Sequence, residues 1–306
     1  MSHTHVVDPS LIHHNWDRAL PPVLTISSGD VVQTELLMAG DGQVTETSRA
    51  AEVPWDFDTM YNLIGPIAVE GAVPGDTLEI EILELTPGDR GWTAIIPELG
   101  LLPADFTEPY LKIWDLRNGA TTQLCDGVTV PFRPFLGTIG VAPDAPGPIA
   151  PFPPHAGGGN MDNRHLVAGS TLWLPVLCEH GLLSFGDPHA AQGDGEVCVS
   201  AIECGMSASL RVTLRKRSSS CPSFRVPAGA QAPVTDYHGT MGISPDLFEG
   251  AQLAVRGMVE WIVGEHGLSR EDAYVLCSIV GDLHVHELVD AGVWNVGMSL
   301  SLDVFR

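Results

Sequence analysis

The stretch from Pro74 to Asp89 does most to restrict what this chain can fold into. Thr77-Leu-Glu-Ile-Glu-Ile-Leu-Glu-Leu85 alternates polar and apolar residues over most of its length, with a Pro-Gly-Asp triplet at 74–76 and another at 87–89. Alternation with a period of two is the pattern of a strand with one buried face. Proline fixes φ and glycine accepts conformations that other residues avoid, so each triplet reads as a turn, the second ending the strand. Shorter strand runs follow the same logic at Val23–Ile26, Val31–Leu37, Gly65–Glu70, Leu136–Ala142 and Leu210–Lys216. Gly91 to Asp115 reads as a long loop with short strands. Helical spacing enters late. Ser244-Pro245-Asp246 is a start signal with proline in the first turn, and the apolar positions run from Leu247 towards Gly264. A second helix is expected from Ser269 through Val280. The chain is therefore expected to be mainly β, with the helical segment, about residues 244–282, packed on the sheet.

Charge narrows the function. Fifteen basic against 38 acidic side chains give a formal net charge of -23, which excludes nucleic acid and anionic membrane surfaces as main partners because both would be repelled. Solubility or adaptation to salt accounts for much of that charge. The 306 residues suffice for one large β domain or two medium ones. No run approaches the roughly 20 apolar residues that span a bilayer, and Met-Ser-His-Thr-His lacks the basic and apolar regions of a signal peptide, so a cytoplasmic protein is expected. The six cysteines form no Cys-x-x-Cys pair and read as reduced core residues. His3 and His5 read as a mobile tail.

Chemistry concentrates between Gly157 and Glu203. Asn160-Met-Asp162-Asn163-Arg164-His165 and Asp187-Pro-His189-Ala-Ala-Gln192-Gly-Asp194-Gly-Glu196 are two polar clusters, separated by the apolar runs Leu172–Leu177 and Leu182–Phe185. A strand running out and another running back bring both clusters to one end of a sheet. The Gly/Pro stretch from Ala145 to Gly159 reads as a wall or lid beside them.

These segments resemble the acetamidase/formamidase family. The resemblance rests on Gly158–Arg164, Gly169–Pro175 and Ser184–Glu196, supported by His13-x-x-Trp16, Gly65–Ala72 with Pro74–Asp76, Gly137–Pro143 and Glu271–Tyr274 leading to Gly281-Asp-Leu283. It implies one domain over residues 1–306, a β-sandwich of jelly-roll type with helical additions near the C-terminus. The implied activity is hydrolysis of a small aliphatic amide to ammonia and a carboxylate. One departure stands out: His284-Val-His286 occupies positions where a basic and a polar residue are expected.

Amide hydrolysis needs an activated nucleophile, a stabilised oxyanion and a proton for the leaving amine. No Gly-x-Ser-x-Gly elbow, Ser-x-x-Lys or reactive cysteine supplies a covalent route. Asp187 and His189, two apart on an extended strand, point to the same side, and Asp162 completes a set of ligands for a divalent metal, zinc, manganese, iron and calcium all being compatible. Glu196 is the expected acid and base, and His13 a second catalytic candidate or ligand. Asn160, Asn163 and Gln192 carry groups that can recognise an amide. Two other readings remain open: a non-catalytic jelly-roll module binding carbohydrate or metal, and a hydrolase of a larger amide metabolite. The alternating Val293–Leu302 either pairs between subunits of a homo-oligomer or closes the sheet within the chain.

Overall fold

The computed structural model describes the chain apart from residues 1, 41, 102, 105, 127, 218, 231–235, 269, 271–272, 274–280, 291 and 306. The first five strands are β1 (Thr4–Val6), β2 (Ile12–His13), β3 (Leu24–Ile26), β4 (Asp30–Leu36) and β5 (Leu63–Val69). Then come β6 (Thr77–Ile95), β7 (Tyr110–Asp115), β8 (Thr121–Cys125) and β9 (Val128–Pro131). The middle of the chain supplies β10 (Phe135–Val141), β11 (Gly158–Asn160), β12 (Thr171–Pro175), β13 (Leu183–His189) and β14 (Glu203–Arg215). The last part holds β15 (Ser223–Val226), β16 (Tyr237–Ser244), α1 (Leu247–His266), β17 (Gly281–Glu287) and β18 (Trp294–Ser301). The protein is thus mainly β. Its main sheet follows the path β11-β10-β13-β14-β6-β12-β15-β16-β18-β17, with β8 and β9 forming a separate hairpin.

The alternating run is the spine of this sheet, but it is longer than its punctuation implies. β6 extends for 19 residues and passes through Pro87-Gly-Asp89 and into the stretch read as a loop. Pro87 lies opposite Met206 where the register against β14 shifts, so the triplet lies at an irregularity inside the strand. An irregular pairing bends the strand and tolerates a residue without an N–H, which is why proline is found there. One side of the spine carries β12 and β15, and the other carries β14, β4 and β13. Leu78, Ile80 and Ile82 of β6 lie with Leu172, Leu174, Leu210 and Val212 in the main core, all almost fully buried. Each such side chain contributes about 1.5–3 kcal/mol relative to exposure.

Two further expectations change. His5 is docked, because β1 pairs with β4 and the His5 ring meets Asp30 Oδ2 at 2.9 Å. Not every cysteine is in the core, since Cys125 is exposed. β18 lies inside the sheet, pairing with both β16 and β17.

Helix α1 begins two residues after Pro245 because Asp246 takes the N-cap and accepts from Glu249 N at 2.8 Å. It ends where Gly267 adopts a left-handed φ of 69°. Ala254, Met258 and Ile262, four apart, are buried on the face that meets the sheet. The expected second helix, Ser269–Val280, falls largely outside the described residues. No described helix is long and apolar enough to cross a membrane.

The approach of α1 to β16 is set by Gly242, where a Cβ would sit 1.9 Å from Gly250 O and 2.6 Å from Ala254 N. Both obstacles are helix backbone, which cannot rotate away. Gly242→Ala is therefore expected to cost about 3 kcal/mol, the upper part of the range for overpacking. Asp246→Ala, which removes only the cap, is expected to cost about 1 kcal/mol. Urea denaturation of the two variants checks the order.

Candidate active site

Strand β10 brings the two polar clusters together. Its Thr138 pairs with Asn160 of β11 on one side and Gly186 of β13 on the other, so Asp162, Asp187 and His189 approach from both flanks. Between them lies Gly137. A Cβ there would sit 2.6 Å from both Asp162 Oδ1 and Asp187 Oδ2 and 2.7 Å from His189 Cε1. The absence of a side chain at this one position lets the three groups meet.

His189 is the centre. Its Nδ1 meets Gln192 Oε1 at 2.9 Å, and Gln192 Nε2 donates to Asp162 O at 2.9 Å. An amide oxygen accepts the Nδ1 proton, which turns Nε2 towards Glu203 Oε2 at 3.1 Å and Asp187 Oδ1 at 3.3 Å. Asp162 Oδ1 lies 3.8 Å from Nδ1, and Glu196 joins Asp162 and His189 within 4.8 Å, while Asp187, His189 and Glu203 form a second group as compact. Three of these acids have backbones in the left-handed region: Asp162 at φ 44°, Asp187 at 53° and Glu196 at 43°. Such conformations cost of order 1–3 kcal/mol in non-glycine residues and persist where the surroundings impose them.

Burial sets the electrostatics. Asp162, Asp187, Glu196, Glu203, Glu287 and Asp290 are all buried, none more than 7% exposed. Loss of water, then mutual repulsion, pushes Asp162, Glu196 and Asp290 well above the carboxylate range. Burial raises Glu203, and it pushes Glu287 up to about 7 against hydrogen bonds from Val289 N and Asp290 N. Burial alone favours a neutral imidazole, yet the Glu203 and Asp187 carboxylates hold His189 well above its ordinary value.

This cluster fits a divalent cation. Both Asp162 oxygens and Glu203 Oε2 are buried without a hydrogen-bond partner. Desolvated, unpaired carboxylate oxygens around one imidazole are costly in isolation and match the donor set of such an ion. Asp162, Asp187 and His189 are the ligands expected from sequence, and Glu203 adds a fourth donor from β14, where it pairs with His189. Glu203 was missed as a single acid after the apolar run Val197–Ile202; a lone carboxylate between apolar neighbours is the signal that marks it. Glu287, Asp290 and Tyr61 carry no such signal.

The amide side chains have different partners from those expected. Asn160 Nδ2 donates to Tyr61 Oη at 3.2 Å and to Asp290 Oδ2, and its Oδ1 accepts from Thr138. Asn163 Oδ1 accepts from His165 N at 3.0 Å, and its Nδ2 faces Met241 Sδ at 3.3 Å. With Gln192 on His189, all three hold the scaffold. His13 meets Asn15 O and Ser184 Oγ, each at 2.8 Å, and burial pushes it down to about 4, so the neutral ring is occupied away from the acids.

Asp187, His189, Glu196 and Glu203 line a small pocket with about 30 Å³ of space open to water. Phe57, Met60, Trp92, Ile96, Leu99 and Phe152 form its apolar wall, and Tyr61 also borders it. Phe152 belongs to the Gly/Pro stretch expected to act as a wall.

The sequence model of the Acetamidase/Formamidase family matches residues 2–147 and 149–306. The chain is 28% identical to a formamidase of Methylophilus methylotrophus, over 77% of this chain and 72% of that protein. It is 27% identical to an acetamidase of Mycolicibacterium smegmatis, over 67% of this chain and 66% of that protein. Among solved structures, an acetamidase from Bacillus halodurans superposes with a TM-score of 0.89 at 30% identity, covering 98% of each chain.

The buried acids give metal-free protein a defined pH response. Each raised carboxyl keeps, in the folded state, a proton that the unfolded chain releases near pH 4. The folded state then binds more protons, and stability falls as pH rises through the folded pKa. His13 and His155 at about 4, with His165 and His238 at about 3, act in the opposite sense. Their effect is complete near the unfolded value of about 6.5. The melting temperature of chelator-treated protein is therefore expected to fall as pH rises above about 6.5, through the Glu287 value of about 7, and added divalent cation is expected to flatten that fall. Thermal melts with and without zinc check it, and a rise across this window contradicts the charge assignment.

Proposed function

The chain belongs to the acetamidase/formamidase family and hydrolyses small amides, and from that premise we propose that the reaction runs where Asp162, Asp187, His189, Glu196 and Glu203 meet beside the apolar pocket. The observation that carries this is the convergence of buried, unpaired carboxylates on one oriented imidazole, opening into a space small enough for a formamide- or acetamide-sized molecule. The narrow apolar wall speaks against a larger amide metabolite, and a carbohydrate module has no use for so small an apolar-walled pocket. The folded-over sheet around it is read as a jelly-roll sandwich.

Asp162, Asp187 and His189 hold the cation in this reading, with Glu203 as a further oxygen donor. A divalent cation there supplies Lewis-acid polarisation of the amide carbonyl and makes water acidic enough to lose a proton near neutral pH. The chain does the rest. Gln192 fixes the His189 tautomer. The apolar wall excludes bulk water, which strengthens every electrostatic interaction inside. Glu196 takes the proton from the attacking water as its oxygen bonds to the carbonyl carbon, then passes it to the nitrogen as the C–N bond breaks. Ammonia and a carboxylic acid leave, so one water is consumed for each amide. Tyr61, held well above its usual range by burial and then by Asp290, keeps its proton and can donate it to the amide oxygen.

Two outcomes test this reading. Glu196→Gln is expected to lower kcat for acetamide or formamide by roughly 10²–10⁴-fold, the usual range for a general acid/base, with the circular dichroism spectrum unchanged. Retention of most activity removes Glu196 from the mechanism. Gly137→Ala places a methyl group among the ligands and is expected to abolish both cation binding and ammonia release. Its backbone lies outside the left-handed region, so the fold is expected to persist. Calorimetric zinc titration and an ammonia assay measure the two effects separately.

A further inference from the structure

The departure at His284-Val-His286 leads to a second cluster, separate from the pocket acids. His286 of β17 is fully buried, and neither ring nitrogen has a hydrogen-bond partner. Its Nε2 lies against Gly297, where a Cβ would come within 2.0 Å, so the ring is fixed with Nδ1 turned towards Asp194 Oδ1 at 3.6 Å. His165 Nε2 faces the same oxygen from the other side at 3.8 Å and is likewise buried without a partner. Both separations are too long for hydrogen bonds. They are close to the roughly 3.3 Å edge that a tetrahedral ion with 2.0–2.1 Å bonds sets between its ligands. The three ligand atoms lie within 4.8 Å of one another.

We propose that His165, Asp194 and His286 form a second divalent metal site, of the two-imidazole, one-carboxylate kind that takes zinc or a neighbouring transition ion. The surroundings are built for it. Tyr237 Oη lies 2.7 Å from His165 Nδ1 and holds the ring with Nε2 on Asp194's side. Phe224 stacks on the His165 ring at 6.0 Å between centroids and fixes its plane. Gly195 N donates to His286 O at 2.9 Å, which ties the loop carrying Asp194 to the strand carrying His286. Asp194 also borders an open cavity of about 480 Å³, which gives an ion a way in.

Other charges face the cluster. Arg133 Nη2 is 3.5 Å from His165 Nδ1, the edge away from Asp194, and Arg164 and His284 are near. His284 is engaged by Ser299 Oγ at 3.0 Å. Burial, then the neighbouring His286, pushes His165 down to about 3, so its ring is neutral, as a ligand must be. The preference for imidazole separates the two centres chemically: the pocket offers one ring among carboxylates, and this cluster offers two rings and a single carboxylate.

The test is metal stoichiometry on the full chain, stripped with chelator, reloaded with zinc and freed of excess by gel filtration. Two zinc ions per chain are expected, falling to one in His286→Asn and to one in His189→Asn. One ion in the wild type that survives His286→Asn and vanishes in His189→Asn overturns this site and leaves the pocket ion standing. The reverse pattern supports this site and overturns the pocket ion. No ion at all overturns both. Copper(II) loaded into His189→Asn is expected to show electron-paramagnetic coupling to two imidazole nitrogens, and coupling to one overturns the assignment. Should His286→Asn fail to fold, Asp194→Asn alters a partly exposed group and is expected to lose the same ion. Tyr237→Phe is expected to weaken zinc binding about 10–100-fold, and unchanged affinity in both of these variants overturns the site.

Discussion

Repulsion among buried carboxylates is the constraint on which the rest of this structure depends. Two unit charges 4 Å apart interact by about 4 kcal/mol at the effective dielectric of a protein. Six acids share the region around Asp162 and Asp290, and His189 is the imidazole set among them. Protons or a cation must offset that repulsion, and the fold is arranged so that they can. β10 contributes a residue without a side chain at the crossing point, β13 supplies Asp187 and His189, and β14 supplies Glu203 directly opposite His189. The left-handed backbones of Asp162, Asp187 and Glu196 are a further cost borne to aim these groups inward.

The polar residues around the acids consequently have partners within the fold. An amide side chain offers an acceptor and two donors, which matches a carboxamide substrate, but also matches what a crowded carboxylate site needs. Gln192 joins the His189 ring to the backbone of Asp162, and Asn160 joins Thr138, Tyr61 and Asp290. Asn295, from β18, donates to Met161 O at 2.6 Å and holds the Asp162 segment from a third direction. The groups left facing the pocket are then few: carboxylates, one imidazole, a phenol and apolar rings. A small polar amide fits such a lining because it needs little area and one or two directed contacts.

Much of this was legible in the sequence, for a physical reason. Asp162 and Asp187 through Glu196 sit in two dense polar clusters separated by strand-forming runs, and antiparallel pairing brings such clusters together once β10 lies between them. Glu287, Asp290 and Tyr61 were not legible because each joins the site through tertiary pairing, which no local pattern encodes, and Glu203 carried only the faint mark of a lone acid among apolar neighbours. Pro87-Gly-Asp89 misled in the opposite direction. Its residues have turn chemistry, yet the register shift opposite Met206 lets β6 run on, because long-range pairing with β14 outweighs a local preference. The amide residues show the limit of residue type, since composition cannot say whether a hydrogen-bonding group points at a ligand or at the backbone beside it.

The loop between β13 and β14 joins the two histidine clusters in one short piece of chain. Gln192 orients His189, Asp194 faces His165 and His286, and Glu196 reaches the pocket acids. Gly195 is bonded to His286 O, and Glu196 N donates to Gly193 O at 3.4 Å, so little slack separates one side chain from the next. A displacement of Asp194 by a bound ion must therefore be shared with Glu196, two residues on. Differential contact in two states is what couples sites, and a loop this short transmits such contact through covalent geometry alone. The position of Glu196 is thus set from both ends: by the carboxylates it meets in the pocket, and by the backbone bond from Gly195 N to His286 O behind it.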